Sequence, residues 1–287
     1  MSLRRRRALW PLALLAPGLV WLLVFYAVPA ANQLYISLQE GSLSQGYAFT
    51  WNFGVYGEVF PTYREQFVRS IAYAAVATLL AFVICFPLAY FIAFKSGRWR
   101  NVLLLLIILP FFTSYLVRTI AWQTILSDDG TVVSLLQSVG LLADDGRLLA
   151  TRTAVIAGIT YNFLPFMALP LYVSLEKVDR RLIEAATDLY ASRAVAFRKI
   201  TLPLALPGII AGSLLTFIPA VGDFINAQLL GTSRQYMIGN VIQSKFLAVV
   251  DYPAAAALSF VLMGTLLVIV LIYVRALGTR GLQDAVV

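Results

Sequence analysis

The stretch EAATDLYASRAVAFRKITLP, residues 184–203, is charged and helix-forming, while the chain on either side of it is apolar. Which membrane fold the chain can adopt turns on this segment. Between Val178 and Leu206 the apolar positions Leu182, Ile183, Ala186, Leu189, Ala194, Phe197 and Ile200 recur at three-to-four spacing, which predicts an amphipathic helix. Ala191–Arg193 reads as a turn that divides it into two short helices, and Pro203, Pro207 and Gly208 end it. Pro207 suits the first turn of the helix that follows, where its missing N–H leaves no bond unmade. A helix–turn–helix fixed at both ends to spanning segments can pass a push from a soluble partner into a bundle.

The rest of the chain supplies the spans. Its 287 residues are 60% hydrophobic and 13% charged, with a mean hydropathy of +0.82; a soluble domain carries roughly 25% charge. Apolar runs cover about 8–31, 66–94, 102–126, 153–175, 207–230 and 253–277, each long enough to cross ~30 Å of hydrocarbon. They predict an all-α integral membrane protein, a single domain over 1–287 with six transmembrane helices and the polar loop 176–206 between the fourth and fifth. The short alternating segments of a β-barrel are absent.

The start, Arg4–Arg7 followed by an apolar run, mimics a signal peptide. The run is too long for one and no A-x-A site follows, so it is read as a retained first span. A twin-arginine export signal fits less well, because the residues after Arg7 do not match that pattern. Six spans put both termini on one side. One set of segments holds fifteen basic residues and the other seven. The richer side is the inner one, so the termini and the 176–206 loop are expected in the cytoplasm of a bacterial inner-membrane protein. The outer loops hold Asp128, Asp129, Asp144 and Asp145, which suits a cationic cargo but is ordinary for solvated loops. Residues 127–146 predict a short apolar helix at the outer interface.

Several function classes drop out. There is no histidine and Cys85 is the only cysteine, which leaves no zinc site, no histidine-based triad and no disulfide framework. The net charge of +8 sits at membrane edges and is no nucleic-acid footprint. No G-x-x-x-x-G-K-[ST] motif occurs, so the chain does not hydrolyse ATP itself. AVGD, residues 220–223, approaches the G-x-G-D of an intramembrane aspartyl protease, but Ala220 is not glycine and no second membrane aspartate completes a dyad. A secondary transporter, built on internal repeats with broken helices, would leave the polar loop without a task. Pro87, Pro110, Pro165, Pro170 and Pro219 lie inside spans, where each bends or breaks its helix. Kinks in successive spans favour a translocation path, with ordinary bending as the bland alternative.

EAATDLYASRAVAFRKITLPLALPGI resembles the EAA loop of binding-protein-dependent ABC importer permeases. Glu184, Ala185, Ala186, Ile200, Leu202 and Pro203 match that pattern; Tyr190 stands where the family has glycine. A tyrosine at the left-handed angles that glycine accepts costs about 1 kcal/mol. ILPFFTSYLVRTIAWQTIL (108–126), FIPAVGDFINAQLLG (217–231) and YMIGNVIQSKFLAVVDYPAAAALS (236–259) resemble the spermidine/putrescine-type permease subfamily. The resemblance implies a type I importer permease paired with a second, homologous or identical permease subunit. It also implies two cytoplasmic ATPases that hold ATP and Mg, a periplasmic or extracellular solute-binding protein, and no cofactor in this chain. It implies a polyamine cargo; an opine-like or other amine compound remains open.

The same resemblance assigns roles. Ala185 and Ala186 let the loop helix sit close in a groove on the ATPase. Glu184 contacts the ATPase or holds the loop to its own bundle. Asp188 and Arg193 are rim charges, and Leu189 and Phe197 buried anchors. Asp223 lies in the fifth span, about 24 Å from the inner surface counting from Pro207 at ~1.5 Å per residue. A carboxylate at such a depth is a functional candidate. It is either a counter-ion for a cargo ammonium group or the partner of Arg118, which could instead snorkel outward. Tyr115, Trp122 and Tyr161 can add cation–π contacts, and Asn162 and Asn226 hydrogen bonds.

Overall fold

The computed structural model describes residues 14–143 and 145–281. The basic cluster Arg4–Arg7, residues 8–13 of the first expected span and Asp144 lie outside them. In chain order the elements are α1 (Leu14–Ser37), β1 (Gln39–Ser42), β2 (Gly46–Phe49), α2 (Gly54–Thr62), α3 (Arg64–Phe94), α4 (Arg100–Ile108) and α5 (Tyr115–Leu126). There follow α6 (Thr131–Ser138), α7 (Arg152–Glu176), α8 (Arg180–Asp188), α9 (Arg193–Val221), α10 (Ile225–Leu230), α11 (Ile238–Leu247) and α12 (Tyr252–Gly281). Helices α1, α3, α7, α9 and α12 are each long and apolar enough to cross a bilayer. A sixth crossing exists if the segments Gly97–Phe112 and Tyr115–Ser138 count as one bent span.

That bend corrects the sequence expectation of one span over 102–126. The path turns by 94° between the two segments. Pro110 removes a helical donor, the chain tightens into a 3₁₀ turn over Leu109–Phe112, and Thr113 and Ser114 are extended (ψ 145° and 141°) before α5 begins. Pro87, Pro165 and Pro170, by contrast, lie inside unbroken helices.

A second correction concerns the polar loop. Its second half does not end at Pro203 or Pro207. It runs on as α9, one helix from Arg193 to Val221 with Pro207 in its interior. A π turn over Phe197–Thr201 makes this possible. Leu202 N–H closes the wide turn on the Phe197 carbonyl, so Pro203 falls where the ladder changes register and its missing N–H is least felt. Helix α1 repeats the device: a π turn over Leu23–Ala27 is closed by Val28, immediately before Pro29.

The chain forms two compact units, one reaching to Thr62 and including Ile242–Met263, the other running from Tyr63 to Val241 and resuming at Gly264. In the larger unit α3, α7 and α9 pack on one another. Small residues set the approach. Ala74, Ala77, Ala81, Cys85 and Ala89 form a buried stripe at helical spacing along α3. On α9, a Cβ at Gly208 would stand 2.5 Å from the Pro170 carbonyl oxygen, and one at Gly212 3.1 Å from that of Met167. Backbones this close gain van der Waals contact where lipid offers no hydrophobic drive. Cys85, Phe86, Ile92, Met167, Leu171 and Leu175 fill the core at one end.

The smaller unit holds the only strands among the described residues, a hairpin pairing Gln39 with Phe49 and Ser42 with Gly46. Tyr35 stacks on Phe49 (4.8 Å), Phe49 meets Trp51 (4.8 Å) and Trp51 meets Phe53 (6.2 Å). Lys245 pairs with Asp251 at 2.9 Å.

Candidate functional site

Helix α9 stops at Val221, and Gly222–Phe224 carry the chain into the short α10. Asp223 sits in this break, 7% exposed. Its Oδ1 accepts the Asn226 backbone N–H at 2.9 Å, closing the start of α10. Its Oδ2 accepts the Asn226 side-chain amide at 2.7 Å and the Tyr115 hydroxyl of α5. The Asn226 amide also donates to the Tyr115 oxygen at 2.6 Å. From α7, the Asn162 amide donates to Asn226 Oδ1 (3.1 Å) and to Thr119 Oγ1 (3.3 Å). Three separate helices thus contribute to one buried polar cluster, and its members hold one another in place as a network does. One acceptor is left over: the buried Asn162 Oδ1 has no partner. Gly158, one turn before Asn162, leaves the space. A Cβ there would meet Asn226 Oδ1 at 2.6 Å and Leu230 Cδ1 at 2.4 Å.

A cleft of ≈ 220 Å³ opens beside the cluster, lined by Tyr115, Phe163, Pro219, Gly222, Asp223 and Phe224. The Tyr115 and Phe163 rings are 6.4 Å apart. Aromatic faces with a carboxylate suit a cation. Of the residues singled out in the sequence, the structure joins Tyr115, Asn162, Asp223 and Asn226. Trp122 and Tyr161 form a separate ring pair at 5.3 Å.

The expected alternative of an Arg118–Asp223 ion pair is corrected. The Arg118 guanidinium lies 4.0 Å over the Phe111 ring and 5.7 Å over Tyr115. Its Nε and one terminal nitrogen are buried without a partner. Asp223 draws its bonds from neutral donors instead. The sequence reading missed Thr119 and Phe163. Thr119 was findable, because it is a hydroxyl inside a span four residues after Tyr115 and bonds back to the Tyr115 carbonyl at 3.0 Å. Phe163 carried no signal beyond its place next to Asn162.

The polar loop is anchored at its root. Arg100 pairs with Glu176, Arg180 donates to the Ala93 carbonyl at 3.1 Å, and Asp179 caps α8 by accepting the Arg181 N–H at 3.0 Å. Helix α8 ends in a Schellman motif: Ala191 N–H reaches the Ala186 carbonyl and Tyr190 N–H the Thr187 carbonyl, both at 3.0 Å. Tyr190 is the left-handed residue of that motif, with φ 60°. Ser192 then caps α9 through the Val195 N–H at 3.4 Å. The turn is therefore Leu189–Ser192, slightly earlier than the expected Ala191–Arg193.

Glu184, Ala185, Asp188, Leu189 and Arg193 are exposed and Ala186 half-buried. The Glu184 carboxylate makes no hydrogen bond or ion pair to the bundle among the described residues, which leaves the tethering alternative without support. Phe197, expected as a buried anchor of the loop, is turned toward its own chain. Its ring packs into the chain's own core, 5.7 Å from Phe86 and 6.1 Å from Tyr90.

Residues 85–281, which contain both the cluster and the loop, match the family model described as "Binding-protein-dependent transport system inner membrane component". The chain is 37% identical over 257 residues to the spermidine/putrescine transport system permease protein PotB of Haemophilus influenzae, covering 89% of this chain and 90% of that one. It is 41% identical over 216 residues to PotB of Escherichia coli, covering 75% and 78%. To the inner membrane ABC transporter permease protein YdcU of Escherichia coli it is 34% identical over 230 residues, covering 76% and 73%. Among solved structures, a chain of a bacterial ABC transporter involved in the import of the acidic polysaccharide alginate has the same fold, at a TM-score of 0.70, 22% identity and coverage of 94% and 96%.

Proposed function

From the premise that the chain belongs to the inner membrane components of binding-protein-dependent transport systems, we propose that it is the polyamine-conducting permease subunit of an ABC importer, with putrescine or spermidine as cargo. The observation that carries the cargo is the 37% identity over 257 residues to a spermidine/putrescine permease. The carboxylate and aromatic rings of the Asp223 cleft are consistent with it.

In this reading an ammonium group enters the cleft, lies against the Tyr115 and Phe163 rings, and exchanges for one of the neutral donors on Asp223. Asn162 Oδ1, a buried acceptor without a donor, takes an N–H of the cargo. A second permease subunit completes the path, a solute-binding protein delivers the cargo from outside, and both termini lie in the cytoplasm. Two ATPases hold ATP and Mg and dock on the loops through Glu184, Ala185, Ala186 and their neighbours. Closure of the ATPases moves the loops and switches the path. The exposed, untethered carboxylate of Glu184 supports its part in docking.

The test is ATPase activity of the reconstituted complex with its solute-binding protein, against a panel of small solutes. Stimulation by putrescine or spermidine that is lost in Asp223→Asn supports cargo and site together. Stimulation that survives keeps the cargo and removes Asp223 from the path. Stimulation by another solute alone keeps the importer and discards the polyamine. Glu184→Arg should insert in the membrane at normal levels and lose uptake; normal uptake would sink the docking role.

A further inference from the structure

We propose that Tyr190 is the specificity-determining contact of the cytoplasmic loop, its ring filling an apolar socket on the ATPase and so setting which ATPase this permease accepts. The proposal rests on the reading that the loop docks an ATPase, and goes beyond it by naming the residue that selects the partner.

The argument starts from the backbone. The left-handed position that follows a Schellman-capped helix belongs to glycine, because any Cβ there crowds the neighbouring carbonyl. Tyr190 holds it at φ 60°. Strain of this kind persists where something else over-determines the conformation. Two bonds of the motif do so on the backbone side, but they would form as well with glycine. The side chain contributes nothing inside the chain, because it is 99% exposed. No contact within the chain offsets the strain at this turn, so a compensating contact for the ring has to come from a partner.

The surroundings say what kind of surface that is. Leu189, next to it, is 81% exposed, so the tip of the loop presents two large apolar side chains to water. The charged residues nearest in the chain, Asp188 before them and Arg193 after them, are exposed as well. This is the layout of an interface anchor, an aromatic knob within a charged rim. The complementary surface is an apolar pocket with charged groups of both signs at its edge. A tyrosine suits such a pocket, since it buries much area at the expense of two torsions and its hydroxyl can bond at the pocket floor. The strained turn adds direction, because it points the ring away from α8 and α9 without support from either.

The experiment uses the full permease in nanodiscs and the purified ATPase of the same transport system, with dissociation followed by surface-bound kinetics. Tyr190→Gly removes the ring and the strain together, Tyr190→Ala removes the ring and keeps the strain, and Tyr190→Phe removes only the hydroxyl. Glycine and alanine should both dissociate at least about tenfold faster, while phenylalanine stays within a few-fold of the native protein. Glycine alone should raise the thermal midpoint of the free permease, which separates relief of strain from loss of contact. If glycine binds as tightly as tyrosine, the ring has no part in docking and the proposal falls, while the docking role of the loop stands. If the native permease does not bind the ATPase at all, both fall.

Discussion

Tyr115, Asp223 and Asn226 are polar groups in an apolar layer, while Leu189 and Tyr190 are large carbon-rich side chains in water. The first set has turned inward. Asn226 is fully buried, every polar atom of the Asp223 carboxylate is bonded, and the donors come from three helices. The second set has turned outward and is 81% and 99% exposed. A group out of place in its solvent either finds partners within its own chain or waits for one from elsewhere, and the two ends of α9 show one case each. The contrast separates what holds this protein together from what it offers to others. Substitutions at the cluster should be felt in stability first, and substitutions at the tip in association first, with stability touched there only where the left-handed turn at Tyr190 is relieved.

The largest effect is expected at Asp223→Ala. It strands a backbone N–H, an amide and a hydroxyl in the bundle, a loss on the order of 3 kcal/mol or more, read as a lower thermal midpoint of the purified protein in nanodiscs. An unchanged midpoint would mean that the cluster is not a structural network. Next comes Gly158→Ala, whose Cβ would press on Asn226 Oδ1 and Leu230; overpacking of this kind costs about 1–3 kcal/mol in the same assay. At the tip the pattern should invert. Leu189→Ser should leave unfolding within about 0.5 kcal/mol of the native protein and weaken ATPase association roughly tenfold. Asp188→Asn and Arg193→Gln should be mildest, changing the association rate a few-fold and flattening its salt dependence.

The fold was legible where composition decides it. Helix α7, Arg152–Glu176, differs from the apolar run 153–175 by one residue at each end, because hydropathy over that length has a single physical solution in a bilayer. Hydropathy does not see hydrogen bonds, and there the reading failed. The run 102–126 is apolar throughout yet turns at Thr113–Ser114, and the prolines that were to end the loop lie inside α9 behind a π turn. The hairpin at residues 39–49 had no clear alternation to announce it.

For the candidate site, the sequence supplied members but not pairings. Asp223 and Tyr115 are 108 residues apart, and nothing local shows that a hydroxyl rather than Arg118 would meet the carboxylate. Arg118 was the natural guess from charge alone. The structure stacks it on the ring of Phe111, seven residues earlier on the far side of the break. Tyr190 was visible as a departure from pattern. Its left-handed angle and full exposure could come only from coordinates.

The continuity of α9 has a mechanical consequence. Its 29 residues form a rod about 43 Å long at ~1.5 Å per residue, with the tip of the loop beside one end and the Asp223 break beside the other. A tilt of only about 5° about one end carries the other about 4 Å, more than the length of a hydrogen bond. The π turn at Phe197–Thr201 interrupts the regular ladder near the loop end of the rod, where the Phe197 ring packs against Phe86 and Tyr90. A rod held there has the proportions of a lever with its fulcrum close to the hand: under the proposed docking, a short stroke at the loop would become a long one at the polar cluster, at a correspondingly reduced force.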